Sequence, residues 1–292
     1  MKAYLNLLHD ILTYGDVVYQ RAKLISDGRK PKCISSISSQ LFLELGKNGE
    51  DFPLMTTKFV SWKAVAHELI WFLRGDTNIK YLKDNKVPIW DAWADENGDL
   101  GSIYGKHWRR WPCIKDGIQR KSIDQIANLE SSIRRVVSDP ESPLARRMVL
   151  LNLNPGDMPD PKVPTGCHTL SQYLVRGNEL NKTLHCHVYM RSCDAFLGLP
   201  YNIACYAMLT SILAFRAGIE PGSLRFSFGD VHIYENHIPQ VREQLDRLHR
   251  PRPKLVIDQR VKDLNHLEEL AIDMLSVEGY LPYGKLPGEV AV

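Results

Sequence analysis

The feature that most constrains this chain is an apolar run over residues 203–215, just after Pro200. The run contains no charged residue, and a helix that is apolar on all sides must be covered by other parts of the protein. It is shorter than the roughly 20 apolar residues that cross a bilayer. We therefore predict a buried core helix and expect no membrane partner.

Hydrophobic periodicity predicts both helices and strands around this core. Helices are predicted from the spacing of Tyr4, Leu7, Leu8, Ile11 and Leu12 and over residues 61–74 and 124–137, and strands over residues 41–45, 147–153, 169–175, 184–192 and 255–257. The elements do not alternate as in a doubly wound sheet, and no repeat, low-complexity tract or linker interrupts the sequence. We predict one α+β domain over residues 1–292.

The charge balance limits the partners. The chain has 37 Lys and Arg against 34 Asp and Glu, a net charge of +3, which is too even for a protein that grips a nucleic-acid backbone. We expect a small anionic ligand and no nucleic acid. The six cysteines form no CxxC pair, and the N-terminus does not resemble a signal peptide, so we expect reduced thiols in a cytoplasmic protein.

Cys167 and His168 end a proline-rich loop directly before a predicted strand, where a thiol can lie at the mouth of a cleft. Arg191 ends the next strand, and Arg146 and Arg147 begin the one before. We expect the guanidinium groups to converge on the thiol, bind a phosphate and lower the pKa of Cys167. An isolated Cys–His pair is more often structural, and paired arginines more often form a solvated surface.

Two further polar residues lie within apolar sequence. Glu68 lies inside an otherwise largely apolar predicted helix. Asn202 lies at the start of the buried helix, where an unpartnered amide is costly. It either forms a hydrogen bond at the helix start or reads the edge of a planar ligand.

These residues belong to long motifs that resemble the thymidylate synthase family from the first helix to Val292. The motifs are FPLMTTK at 52–58, HEL at 67–69, IWD at 89–91, ADENGDLG at 94–101, YG at 104–105, RSCD at 191–194, FLGLPYN at 196–202 and DVHIY at 230–234. The resemblance implies a mixed, largely antiparallel β-sheet packed by helices, and a homodimer formed through that sheet.

The resemblance also implies a reaction. Cys167 would attack carbon 6 of deoxyuridylate (dUMP), and carbon 5 would then capture the methylene group of 5,10-methylenetetrahydrofolate. Glu68 would relay protons through water, and Tyr104 and His168 would flank the thiol. Catalytic roles are implied as well for Arg191, Asp194 and Asn202. No metal is expected.

The remaining roles concern ligand binding. On the nucleotide, Arg29, Arg146, Arg147, Arg191 and Ser192 would hold the phosphate, His232 and Tyr234 the 3′-hydroxyl, and Asn202 the uracil edge. On the folate, the implied residues are Lys58, Trp90, Trp93, Asp194, Gly198, Tyr201 and Val292, with Lys58 at the glutamate tail and the C-terminus closing over the site. Arg146 and Arg147 would reach the site of the other subunit.

Three positions depart from the family pattern. Arg29 aligns only approximately with the family's early phosphate-binding arginine, because the usual threonine- and glycine-rich loop is replaced by RKPKCISS at 29–36. Gly166 replaces a proline, and Met190 replaces a glutamine. Methionine there is reminiscent of phage deoxypyrimidylate hydroxymethylases, which add water instead of hydride. The product is therefore thymidylate or, as the alternative, hydroxymethyldeoxyuridylate, whereas Asn202 favours uracil over cytosine.

Two alternative functions belong to other classes: a metal-binding protein and a non-enzymatic family member. A metal site at His185, Cys186 and His187 is disfavoured, because strand alternation puts the cysteine on the opposite face from both histidines. A degenerate, non-enzymatic family member is disfavoured by the presence together of the cysteine, the buried glutamate, Asn202 and Asp194.

Overall fold

The computed structural model describes residues 1–158 and 166–291. Its helices are α1 Lys2–Tyr14, α2 Trp62–Leu73, α3 Lys80–Asp84, α4 Tyr104–Arg109, α5 Gln125–Ser138, α6 Gly198–Ala217, α7 Ile238–Asp246 and α8 Arg260–Asp263. Its strands are β1 Asp16–Val18, β2 Cys33–Ile37, β3 Gln40–Glu44, β4 Ile114–Lys115, β5 Ile118–Gln119, β6 Val149–Leu151, β7 His168–Arg176, β8 Thr183–Met190, β9 Cys193–Asp194, β10 Glu220–Phe228, β11 Asp230–Tyr234, β12 Lys254–Ile257 and β13 Leu275–Glu278.

The largest sheet has five strands in the order β3-β10-β8-β7-β6. Only β10 and β8 run parallel, and the other neighbours are antiparallel. A four-stranded sheet, β1-β2-β11-β9, likewise has one parallel pair, β11 with β9. The predicted α+β class and the largely antiparallel strand pairing are confirmed, although the strands are divided among several sheets.

Helix α6 forms the centre of the core and packs on β10, β8 and α2. It has 20 residues and is apolar enough to cross a membrane by length and composition, so our expectation that no run approaches that length was wrong. However, 78% of the apolar window is buried inside the protein, as in the core helix that we predicted. One cluster of buried side chains extends from Tyr4 to Leu286.

The other predicted helices form where local signals place them. Ser61 Oγ accepts the amide hydrogen of Ala64 at the start of α2, and Asp124 does the same for Ala127 at the start of α5. Gly75, with φ at +69°, follows the end of α2. The strand predicted over residues 147–153 is shorter, because a 3₁₀ turn over Pro143–Arg146 precedes it.

Candidate active site

Cys167 lies directly before β7, next to the end of β8. Its amide hydrogen bonds to the Tyr104 hydroxyl at 2.7 Å. Arg191 lies beside it: the amide of Arg191 donates to the Cys167 carbonyl at 2.9 Å, Nε donates to the Gly166 carbonyl at 2.9 Å, and Nη2 is 3.8 Å from the Cys167 sulfur. Antiparallel pairing of β7 with β8 makes this contact, because His168 pairs with Met190. The predicted proximity of Cys167 and Arg191 is confirmed.

The thiol is half-buried. Burial raises the pKa of Cys167, and the Arg191 guanidinium opposes this increase without overcoming it. The expected lowering by a guanidinium group is therefore present, but burial outweighs it and the net pKa is raised. Arg191 limits the increase but does not by itself make the thiolate the main form at neutral pH.

Arg146 and Arg147 do not lie beside Cys167 in the same chain, which corrects our expectation of three converging guanidinium groups. β6 runs antiparallel to β7, with Val149 opposite Gln172. The start of β6 therefore lies near the far end of β7. At about 3.3 Å per residue, residues 167 and 174 are roughly 20 Å apart. Both arginines are exposed at that far end.

His168 and Tyr104 form a stacked pair next to the thiol, with ring centroids 3.8 Å apart and an angle of 1° between the rings. His168 is buried, and burial lowers its pKa to about 3, so the imidazole is neutral at physiological pH. Its Nδ1 lies 2.8 Å from the Tyr206 hydroxyl. Burial raises the pKa of Tyr104 well above its usual value, so this phenol is also neutral.

Glu68 lies inside α2, as predicted, and is 7% exposed. Its Oε1 accepts the indole hydrogen of Trp90 at 2.8 Å. Burial raises the pKa of Glu68 to about 7, and the Trp90 hydrogen bond opposes this only partly. The carboxyl group can therefore both donate and accept a proton near neutral pH, as a proton relay requires.

Trp90 and Trp93 meet edge to face, with centroids 5.8 Å apart, and both are half-buried. Trp90 also lies 6.0 Å from the Tyr104 ring, which joins it to the thiol region. Half-buried indole rings next to a carboxyl group suit a planar heterocycle such as a pterin. The aromatic residues therefore fit the implied folate.

Asp194 holds the start of α6: its Oδ1 accepts the amide hydrogens of Phe196 and Leu197 at 2.8 and 3.1 Å. Helix α6 consequently begins at Gly198, and Asn202 lies one turn inside it. The helix start is thus held by Asp194 and not by Asn202. The half-buried Asn202 amide makes no hydrogen bond to the residues that the structure describes, which leaves it available to a ligand.

The predicted sugar-binding residues lie on β11, beside β9. His232 is paired with Asp194 in register, and its Nδ1 lies 3.3 Å from the Asp230 carboxylate. Tyr234 meets His232 edge to face at 5.1 Å. Burial raises the pKa of Tyr234, and the charges of Asp194 and Cys33 add to the increase.

Other implied residues lie in different surroundings. Arg29 is exposed and bound to Glu235 at 2.9 Å. Lys58 is buried, donates to the Phe196 carbonyl and has a pKa lowered by burial to about 7, so it would have to move to meet a folate tail. Ser192 and Gly198 are half-buried, as is Tyr201, whose pKa burial raises. Val292 lies outside the described residues.

Sequence reasoning missed Asn152, Tyr206 and His107, which support the site from behind. The Asn152 amide donates to the His168 carbonyl at 3.0 Å and to the Tyr206 hydroxyl at 3.2 Å, and His107 Nδ1 lies 2.9 Å from the Asn152 carbonyl. The sequence signal that could have indicated Asn152 is an amide side chain at the end of an apolar strand.

The side-chain positions do not support the alternative of a metal site at His185, Cys186 and His187. Within residues 1–158 and 166–291 no group of three or more His, Cys, Asp or Glu side chains is arranged to hold a metal ion. As predicted from alternation, Cys186 points into the core, whereas His185 and His187 lie on the outer face. No disulfide joins the six cysteines within the described residues.

The fold and this region define an α+β protein with a cysteine thiol, an arginine, a buried carboxyl group and two indole rings on adjoining elements. A family model described as thymidylate synthase matches residues 2–292, so the chain belongs to the thymidylate synthase family. The family consists of methyltransferases that transfer a one-carbon unit from methylenetetrahydrofolate to dUMP.

Proposed function

We propose that this chain converts dUMP to thymidylate by reductive methylation, with Cys167 as the nucleophile. The observation that carries the proposal is the placement of the Cys167 sulfur 3.8 Å from Arg191 Nη2. Glu68, whose pKa burial raises to about 7, is joined to this pair through Trp90 and Tyr104. A nucleophile, an anion site and a proton relay are the parts that this reaction needs.

The chemistry begins when the Cys167 thiolate forms a bond to carbon 6 of uracil. The electron pair of the 5,6 double bond moves toward carbon 5 and O4, where Glu68 stabilises it by giving a proton through water. The folate supplies the methylene group and, for a methyl product, the hydride. Carbon 5 forms a bond to this methylene group, and loss of the carbon 5 proton with cleavage of the methylene–nitrogen bond leaves an exocyclic methylene group on the ring. Hydride adds to that group, the sulfur–carbon bond breaks as the 5,6 double bond is restored, and the Cys167 thiolate is regenerated.

The remaining groups orient the nucleotide. Arg191 and Ser192 would bind the phosphate, since a guanidinium group suits its oxygens. His232 and Tyr234 would bind the 3′-hydroxyl from β11, and Asn202 would pair its amide with N3–H and O4 of uracil. The Asn202 amide within α6 makes no hydrogen bond to the described residues, which supports this assignment.

A homodimer would complete the phosphate site. Arg146 and Arg147 lie far from the thiol of their own chain, yet both are exposed. The outer face of the five-stranded sheet carries the exposed side chains of Phe42, Tyr189 and Leu151, which suit an interface with a second copy. We propose that dimerisation through this face brings each arginine pair to the partner's thiol.

Hydroxymethylation is the second candidate, and Met190 favours it. Met190 is 1% exposed and pairs in register with His168, so an apolar side chain occupies a position beside the site where the family usually has an amide. A different arrangement of water there would favour addition of water to the exocyclic methylene group. The indole pair that would hold the folate over the ring favours hydride.

One experiment separates the candidates. Purified protein is incubated with dUMP and methylenetetrahydrofolate, and the nucleotide is analysed by mass spectrometry, with Cys167→Ala as the inactive control. A methyl product with equimolar dihydrofolate supports the synthase. A product heavier by one further oxygen, with tetrahydrofolate unoxidised, would replace it with the hydroxymethylase, and unmodified dUMP with active folate present would refute both.

A further inference from the structure

A buried chain of hydrogen bonds ends on the ring of His168. The Asn152 side chain is held between the Trp108 indole, the His168 carbonyl and the Tyr206 hydroxyl. Tyr206 in turn lies 2.8 Å from His168 Nδ1. Asn152 and Tyr206 are each about 1% exposed, so these groups must satisfy one another rather than water.

The orientation of the Asn152 amide follows from its neighbours. The Trp108 indole is a donor only, so it must face the amide oxygen. The His168 carbonyl is an acceptor only, so it must face the amide nitrogen, 3.0 Å away. The second hydrogen of that nitrogen points to the Tyr206 oxygen at 3.2 Å.

The hydrogens of this chain can then be placed. The Tyr206 oxygen accepts from Asn152, and its own hydrogen needs an acceptor. Within the described part of the chain, His168 Nδ1 is the one acceptor that the hydroxyl reaches, so Nδ1 carries a lone pair. In a neutral imidazole the hydrogen is then on Nε2. In the other tautomer the Tyr206 oxygen would accept from both Asn152 and Nδ1–H, and its own hydrogen would have no acceptor among the described residues.

Asn152 is itself firmly placed by its backbone. Its amide hydrogen donates to the Thr169 carbonyl at 2.9 Å, and its carbonyl lies 2.9 Å from His107 Nδ1. The amide therefore lies at a fixed position between α4, β7 and α6.

We infer that Asn152 is a positioning residue that, through Tyr206, holds His168 as the Nε2–H tautomer beside Cys167. Within the described residues, His168 Nε2 makes no hydrogen bond. It is also not one of the fully buried polar atoms that lack a partner. It thus presents a hydrogen to water or to a ligand at the thiol. The catalytic consequence rests on the proposed function, whereas the tautomer does not.

The tautomer can be measured without any turnover. Protein labelled with ¹⁵N-histidine is studied by long-range ¹H–¹⁵N correlation, and His168→Gln identifies the signal. We expect Nε2–H in the unmodified chain and a larger Nδ1–H share in Tyr206→Phe. Tyr173→Phe removes a hydroxyl from another fully buried tyrosine and should change nothing. An Nδ1–H signal or an even mixture in the unmodified chain would overturn the inference.

Asn152→Asp gives an independent test. A carboxylate would accept the Tyr206 hydrogen, so the Tyr206 oxygen would become an acceptor for Nδ1–H and the tautomer would reverse. We also expect kcat to fall by at least about tenfold with little change in the KM for dUMP. An unchanged tautomer in this variant would contradict the inference. A confirmed tautomer in a chain without dUMP activity would instead refute only the proposed function.

Discussion

Burial and a guanidinium group shift the pKa of the Cys167 thiol in opposite directions. Burial raises the pKa of Cys167, and Arg191 lowers it. Arg191→Gln removes the lowering of the pKa by the guanidinium and leaves the effect of burial. Because only the thiolate reacts, we expect Cys167 to be alkylated several-fold more slowly at pH 7, with the rate rising at a higher pH.

Iodoacetamide labelling of Cys167, followed across pH by peptide mass spectrometry, measures this effect. Arg176→Gln is the control, because Arg176 lies at the far end of β7. An unshifted profile in Arg191→Gln would show that the guanidinium does not influence the thiol.

Glu68 links pH to stability. Burial raises its pKa from 4.5 to about 7, so between these values the folded state binds more protons than the unfolded state, and stability falls as pH rises. Glu68→Gln removes this loss. Its free energy of unfolding, relative to the parent chain, should increase by about 3 kcal/mol between pH 4.5 and 8.

Urea unfolding at both pH values gives the comparison. The control, Glu179→Gln, changes an exposed glutamate. Its free energy of unfolding should differ from that of the parent chain by the same amount at both pH values. If Glu68→Gln behaves likewise, burial does not raise the pKa of Glu68.

Asn202 offers a test of base reading. Its half-buried amide can donate to O4 of uracil, whereas an ionised carboxylate repels O4 and accepts from the amino group of cytosine. Asn202→Asp should lower kcat/KM for dUMP and raise it for dCMP, a change in preference of roughly tenfold or more. Competition of the two nucleotides in one reaction gives the ratio, and an unchanged ratio would remove Asn202 from base recognition.

At the scale of elements, helices were the most predictable part of the fold. The cap residues Ser61 and Asp124 lie in the sequence next to the helices that they start. The start of α6 was predicted less well, because it depends on Asp194, a residue separated from the apolar run.

The candidate site was predictable to the extent that strand neighbours define it. Cys167 and Arg191 meet because consecutive strands pair as a hairpin. The same antiparallel rule separates Arg146 from Cys167, contrary to the predicted convergence. The Asn152 support could not be predicted, because it joins parts of the chain that meet only through tertiary packing.

At the scale of the whole molecule, the five-stranded sheet connects two observations. Arg146 lies far from the thiol of its own chain, and the outer face of the sheet is exposed. The five-stranded sheet has its inner face on α6, and its outer face carries Phe42 and Tyr189, at 44% and 42% exposure. A two-fold axis through that face would carry each Arg146 toward a partner's thiol, because an isologous interface exchanges equivalent residues. The proposed dimer would account for both observations.

That explanation predicts complementation between inactive chains. We expect a mixed dimer of Cys167→Ala and Arg146→Ala to contain one complete site, built from the thiol of the second chain and the arginine of the first. If subunits pair at random, half of the dimers are mixed, and about a quarter of the parent activity should return. Co-expression with two tags and tandem purification isolates the mixed dimer, which should have about half of the parent activity because one of its two sites is complete. The matched control pairs Cys167→Ala with Glu68→Gln: both residues belong to the same chain's site, so no activity should return. Equal activity in the two mixtures, or none in either, would show that Arg146 does not act across the interface.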